Sequence, residues 1–279
     1  MSISMSNPIK IDELPAVCIT LARRPDRWAR FNAQPEIEYL PNLKKFDAID
    51  GKTIDPINDF RINTFTKKNI LEKKRRSHWE LDSIGGVGCA LSHIGCWKLA
   101  MESDSPYFLI MEDDAVVPPS FVQSMNTMFA ANPEYNTFDM MILTRLFKPK
   151  TLEVPEPLFV EADKFLLSHC YIISKRAAQI FYADAIPISG HIDLYMSAMA
   201  QVKNLRILCS QQFALKQAGS PSDIQTKPVC HICDVPTDFQ NDFALVPYWN
   251  WRLAKTSEII LIAGIVSYVL YTTWRRSKE

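Results

Sequence analysis

Three consecutive acids, Glu112, Asp113 and Asp114, close the apolar run Tyr107–Met111, and apolar residues resume after them. A short unbroken apolar run reads as a strand buried on both faces. Desolvating one ionised acid costs several kcal/mol, so acids at the end of such a strand need compensation. In open parallel sheets, ligands bind beyond the carboxyl ends of the strands, in the crevice between strand and helix. Carboxylates clustered there suit a hard divalent cation, Mg²⁺ or Mn²⁺, which takes oxygen ligands and bridges to phosphate. The plainer alternative is a solvated turn, because acids at strand ends are common.

The surrounding chain predicts what holds these acids. "AVCITLA", Ala16–Ala22, reads as a first strand, and Pro25 and Asp26 suit the opening turn of a helix after it. Ala90, Ile94, Trp97 and Met101 form one helical stripe before the acid-tipped strand, and a helix through Phe121, Met125 and Met128 follows it. "FDMMILT", "HCYIIS" and "LRILCS" read as further strands. "KRAAQIFYADA" reads as a helix, and so does a segment with Ile192, Tyr195, Met196 and Met199 on one face. This alternation predicts an α/β layer fold with a largely parallel sheet. Two regions depart from it. Lys67–Arg76 carries six cations and reads as a solvated loop, with phosphate or an anionic membrane surface as the alternative. Residues 221–250, rich in Pro and Asp, read as a tail.

The chain has 279 residues, enough for a sizeable core. Its 31 Lys and Arg balance 31 Asp and Glu, so no overall field favours nucleic acid. Seven cysteines, several inside apolar runs, read as reduced thiols in a cytosol-facing protein. Cys230 and Cys233 have metal-ligand spacing, but no second pair follows, and a loop with two thiols is the plainer reading. Ile259–Trp274 is uncharged and precedes Arg275, Arg276 and Lys278. We expect this run to be a single-pass C-terminal membrane anchor within residues 251–279, with a catalytic domain over 1–250 facing the cytosol.

Taken together, the segments resemble glycosyltransferase family 25, which includes bacterial lipopolysaccharide galactosyltransferases and procollagen galactosyltransferases. "ITLARRPDRWARF", "FDAIDG", "GCALSH", "LIMEDDAV", "SHCYIISKRAAQIF", "HIDLYM" and "QAGSPSDIQ" occur in the family's order, from about Ala16 to Gln225. Met111 stands where Leu is usual, Leu167 where Gly is often found, and the hydrophobic tail is no part of the pattern.

The resemblance implies a GT-A fold, a mixed and mainly parallel sheet flanked by helices. It also implies a nucleotide-sugar donor, most often UDP-galactose, and inverting transfer, assisted by Mn²⁺ or Mg²⁺, to a glycan, glycolipid or glycoprotein acceptor. By the match, Asp114 binds the metal, Glu112 supports it or faces the donor ribose, and Asp113 stands behind them. Arg24 and Arg27 clamp phosphate or cap the first helix. Asp47 and Asp50 contact the nucleoside or make turns around Gly51. Ser92, Ser222 and Asp223 join the donor site, the last two from a loop able to close over the diphosphate. Asp193 is the candidate general base, or else a helix-start acid. His93 reads as a packing residue at a helix start rather than a ligand. A metal-dependent phosphoryl-transfer enzyme and a non-catalytic membrane-anchored scaffold remain as alternatives.

Overall fold

A computed structural model describes residues 7–75, 78–144, 147–149, 158–219, 224 and 245–276. One eight-stranded mixed sheet runs in the order β2-β1-β3-β8-β5-β9-β7-β6. Its strands are β1 Ala16–Thr20, β2 Leu43–Asp47, β3 Tyr107–Glu112, β5 Met140–Ile142, β6 Phe147–Pro149, β7 Phe159–Phe165, β8 Cys170–Ser174 and β9 Ile207–Ser210. A separate two-stranded ribbon joins β4 Ala115–Val116 to β10 Lys216–Gln217. Side chains alternate across the sheet with period two. Val17 and Ile19 of β1, Phe108 and Ile110 of β3, and Tyr171 and Ile173 of β8 face one core. Ala16 and Cys18, Leu109 and Met111, and Cys170 and Ile172 face the other. The central strands are buried on both sides, as their unbroken apolar runs require.

Helices cover both faces. α3 Ile84–Glu102, α5 Lys175–Asp184 and α6 Ile192–Val202 pack on the first core, around Trp97, Phe181 and Tyr195. α1 Pro25–Asn32 and α4 Phe121–Ala131 pack on the second through Phe31, Phe121 and Phe129. Their starts follow local chemistry. Pro25 opens α1, and the hydroxyls of Ser83 and Ser174 accept backbone N–H bonds from Gly86 and Ala177 at 3.2 and 3.1 Å.

The sheet is parallel across β2, β1 and β3 and again across β5 and β9, but β8 runs antiparallel to both β3 and β5. The mixed, mainly parallel sheet flanked by helices that the sequence implied is the sheet observed. Between β5 and β8 the chain runs through β6 and β7 on the far side of β9, and the Leu143 N–H donates to Cys170 O at 3.1 Å, so β8 enters at the end where β5 leaves. The loop expected over Lys67–Arg76 is corrected for residues 67–72, while 73–75 are non-helical and Arg76 lies outside the described residues. Asn63 accepts from the Phe65 N–H at 2.8 Å and starts α2, Thr64–Glu72, which ends at Lys73 in the left-handed region.

The C-terminal residues form α7, Leu245–Arg276. Among the described residues no helix is long and apolar enough to cross a membrane, which corrects the expected single-pass anchor, its apolar helix and the membrane partner. The physical reason is length. An uncharged run from Ile259 to Trp274 covers roughly 24 Å at 1.5 Å per residue, less than a ~30 Å hydrocarbon core, and Gly, Ser, Tyr and Thr interrupt it.

Candidate active site

β1 and β3 are parallel neighbours with Ile19 opposite Glu112, so Thr20 and the acids emerge side by side at one sheet edge. The Asp113 N–H donates to Ile19 O at 3.1 Å, and the Ala218 N–H donates to Asp114 O at 2.7 Å. These bonds fold the acidic turn under the β4–β10 ribbon. A third wall comes from α3. Ser92 Oγ donates to Gly88 O at 2.7 Å and accepts from the Ile49 N–H at 2.9 Å, drawing residues 48–51 onto the helix. Glycine is required at that contact, since a Cβ on Gly88 would sit 2.5 Å from Ile49 O. The walls enclose a cavity of about 400 Å³.

Each acid meets different surroundings. Asp113 is nearly covered. One of its oxygens takes the Thr20 hydroxyl at 2.6 Å and the other meets the Arg27 guanidinium at 2.5 Å. Burial raises its carboxyl, and Thr20 and Arg27 pull against that rise. On Glu112, Oε1 accepts from Ser168 Oγ at 2.9 Å and meets His93 Nε2 at 3.3 Å. Burial opposes its charge, but the His93 and Ser168 bonds prevail and hold the carboxyl below its usual range. Asp114 is the exception. Arg27 stands 3.3 Å from one oxygen, but the buried Oδ1 has no partner. Burial, followed by the Glu112 charge, pushes its carboxyl up to about 7.

Behind Glu112 a buried relay holds the histidine. Trp97 Nε1 can only donate, and it donates to the Tyr171 hydroxyl at 3.0 Å. That hydroxyl lies 2.9 Å from His93 Nδ1, so the relay holds the ring with Nε2 towards Glu112.

The residues nominated from sequence divide clearly. Arg27, Asp50, Ser92, Glu112, Asp113 and Asp114 all line the cavity. Asp50 pairs with Arg23 at 2.6 Å and caps the Lys52 N–H at 3.0 Å. Arg24 lies outside the lining and pairs with Asp26. Asp47 also lies outside it, exposed at the end of β2 beside Lys45. Asp193, in the first turn of α6, is absent from the cavity wall. Its Oδ2 accepts from the Leu167 N–H at 3.0 Å. Ser222 and Asp223 lie outside the described residues, as do Cys230 and Cys233. His93, read as a packing residue near a helix start, is mid-helix, and it both packs and lines the cavity. Thr20, Ser168 and Arg23 were not singled out, although Arg23 lies within the Arg-rich turn.

Leu167 has φ of +68°, the left-handed region that favours glycine. For a leucine this costs roughly 1–2 kcal/mol. Among the described residues no group of three His, Cys, Asp or Glu side chains is arranged to hold a metal ion. A divalent ion nevertheless fits the donor chemistry. Mg²⁺-type sites commonly use one or two carboxylates with phosphate oxygens and water, and Asp114 offers an unpartnered buried oxygen.

A strand-end cavity with paired arginines and acids under an α/β sheet defines a class, the α/β proteins that bind a charged small molecule at the carboxyl edge. The particular family follows from comparison. The model of "Glycosyltransferase family 25 (LPS biosynthesis protein)" matches residues 14–196, and the chain belongs to that family. The protein R655 of Acanthamoeba polyphaga mimivirus is 28% identical over 117 residues, which cover 42% of this chain and 33% of that protein. A second protein of that virus, "Procollagen lysyl hydroxylase and glycosyltransferase", is 25% identical over 174 residues, 58% of this chain and 19% of the relative. The chain thus matches a third or less of these relatives' lengths. Among solved structures, UDP-glucose pyrophosphorylase complexed with UDP-glucose aligns with 73% of this chain and 92% of its own, at 12% identity and a TM-score of 0.38. A likeness that weak carries nothing about substrate. The family is one of glycosyltransferases.

Proposed function

We propose that this glycosyltransferase moves a hexose, with inversion, from a nucleoside diphosphate sugar to a hydroxyl of a glycan, glycolipid or glycoprotein, with UDP-galactose as the donor. The observation that carries this reading is the partnerless buried Oδ1 of Asp114, a residue that lines the cavity and whose other oxygen meets Arg27. Asp114, with Glu112 beside it, would hold Mn²⁺ or Mg²⁺. When bound, the ion supplies Lewis-acid assistance to departure of the nucleotide diphosphate. Arg27 adds positive charge from the protein side. Asp113 is committed to Arg27 and Thr20, so it orients the arginine rather than the ion. Ile19, Leu21, Ala48 and Ile49 give the cavity an apolar end beside Asp50 and Arg23, a composition that suits a nucleoside. The family name and the procollagen-related relative support a sugar acceptor, either a surface glycan or a hydroxylated protein side chain. Calorimetry with UDP and Mn²⁺, then a hydrolysis screen of UDP- and GDP-sugars, tests the reading. We expect UDP binding that depends on the metal and turnover with UDP-galactose. Metal-independent binding of UDP, or turnover by Asp114→Ala at the wild-type rate, refutes it.

A further inference from the structure

The loop Leu166–His169 is tied down residue by residue. Leu166 O accepts from Thr144 Oγ1 at 3.2 Å, and the Leu167 N–H donates to Asp193 Oδ2 at 3.0 Å. Ser168 Oγ donates to Glu112 Oε1 at 2.9 Å, and His169 O accepts from the Glu112 N–H at 2.8 Å. His169 Nε2 donates to Leu215 O at 3.1 Å. In the middle of the loop Leu167 holds a backbone angle that leucine avoids unless its surroundings impose it. The polar group that imposes it is the carboxylate of Asp193. Its other oxygen accepts from the Leu194 N–H at 2.8 Å, so both oxygens already face backbone donors, and the side chain does not line the cavity.

We propose that Asp193 is a positioning residue for the donor site: its carboxylate fixes Leu167 in the left-handed conformation, which delivers the Ser168 hydroxyl to Glu112. The proposal rests on the donor reading above for its kinetic consequences, but its geometry stands independently. Asp193 then acts through Ser168 and Glu112 and takes no proton from an acceptor. Glycine is at home at the Leu167 position because it adopts positive φ without a clamp. A leucine there makes the clamp necessary.

The conservative variant separates the two roles. In Asp193→Asn the amide oxygen can keep the Leu167 N–H, at the loss of the bond from the adjacent Leu194 N–H, so UDP affinity in Mn²⁺ and sugar transfer should stay within about tenfold of wild type. Asp193→Ala and Ser168→Ala should each weaken UDP binding and slow transfer by about 10- to 100-fold, the usual effect of losing a hydrogen-bonded partner behind a binding group. Leu167→Gly added to Asp193→Ala should recover most of that loss, an effect that a general base could not produce. Amide hydrogen exchange gives a readout free of any donor. The Leu167 amide should be protected in wild type and Asp193→Asn, and exchange fast in Asp193→Ala. If Asp193→Asn loses transfer by 10²–10⁴-fold with UDP affinity intact, Asp193 is the base and the proposal fails. It fails equally if Ser168→Ala binds and transfers like wild type. That variant removes only one oxygen and decides the matter even if Asp193→Ala does not fold. Should wild type bind no UDP at all, the donor reading falls, while the Leu167 exchange pattern still decides the clamp.

Discussion

Asp114→Asn keeps the shape of the side chain and removes its charge, and the surroundings set what this should do. An acid with a folded-state pKa of about 7 against an ordinary 3.8 binds more protons folded than unfolded across that interval. Stability therefore falls as pH rises from about 4 to about 7, by at most 1.36 kcal/mol per pH unit, and the whole cost is present above 7. The ceiling is about 4 kcal/mol. Asparagine escapes this cost but gives up the 3.3 Å ion pair with Arg27, which keeps Asp113 as its partner at 2.5 Å. We set the net gain at about 2 kcal/mol at pH 8 in EDTA. For a chain of this size that raises Tm by roughly 4–8 °C. The gain should shrink towards zero near pH 4, where the wild-type carboxyl is already neutral. Mn²⁺ should invert the order. A ligand at 100 times its Kd stabilises the native state by about 2.7 kcal/mol, and only wild type should gain it. Thermal melts at several pH values, with and without Mn²⁺, make the test. A variant less stable than wild type at pH 8 in EDTA, or an advantage that persists unchanged to pH 4, refutes the claim that Asp114 is buried without compensation.

Other residues give narrower tests. Thr20→Val should cost about 1–3 kcal/mol in urea unfolding, because it leaves the Asp113 oxygen buried without its 2.6 Å hydroxyl donor. Tyr171→Phe strands the Trp97 N–H and frees His93 Nδ1, so a loss of about 1–3 kcal/mol is expected, with a weakened His93 contact to Glu112 visible in the imidazole NMR shifts. Gly88→Ala should destabilise by about 1–3 kcal/mol and reduce UDP affinity measured by calorimetry, since the new methyl pushes Ile49 and the cavity wall outward.

The elements legible in the sequence are those whose burial imposes a pattern. β1, β3 and β8 are apolar on both faces, α5 buries one face through Ala177, Ala178 and Phe181, and α3 and α6 are buried around most of their surface. β2 was missed because it is an edge strand. Its "LKKFD" carries two exposed lysines and no apolar run, as an edge exposed to water permits. The acids were legible because charge at the end of a buried run breaks a rule. His93 was read correctly as a packing residue, but its contact with the site was not legible. Its ring is fully buried, and one nitrogen still reaches Glu112. Only the packing of α3 against β3 shows this. Ser168 and Thr20 gave no local signal, since a hydroxyl acquires its role from a partner 56 or 93 residues away.

The cost of burying three acids is met three ways, and the differences explain the order in which they stand. Asp113, turned towards β1, receives a cation and a hydroxyl, which offset part of the cost of its burial. Glu112, still in the strand, looks towards the α3 side of the sheet, where the Trp97–Tyr171–His93 relay and Ser168 supply donors from elements that cannot move independently of the core. Asp114 comes last and lies beneath the β4–β10 ribbon, where the fold gives it only a share of Arg27. Had the sequence been selected for stability alone, this is the acid it would have replaced. Its retention follows if the missing compensation comes from outside the chain, in a form that carries positive charge and accepts carboxylate oxygen. The divalent cation proposed above would meet both conditions.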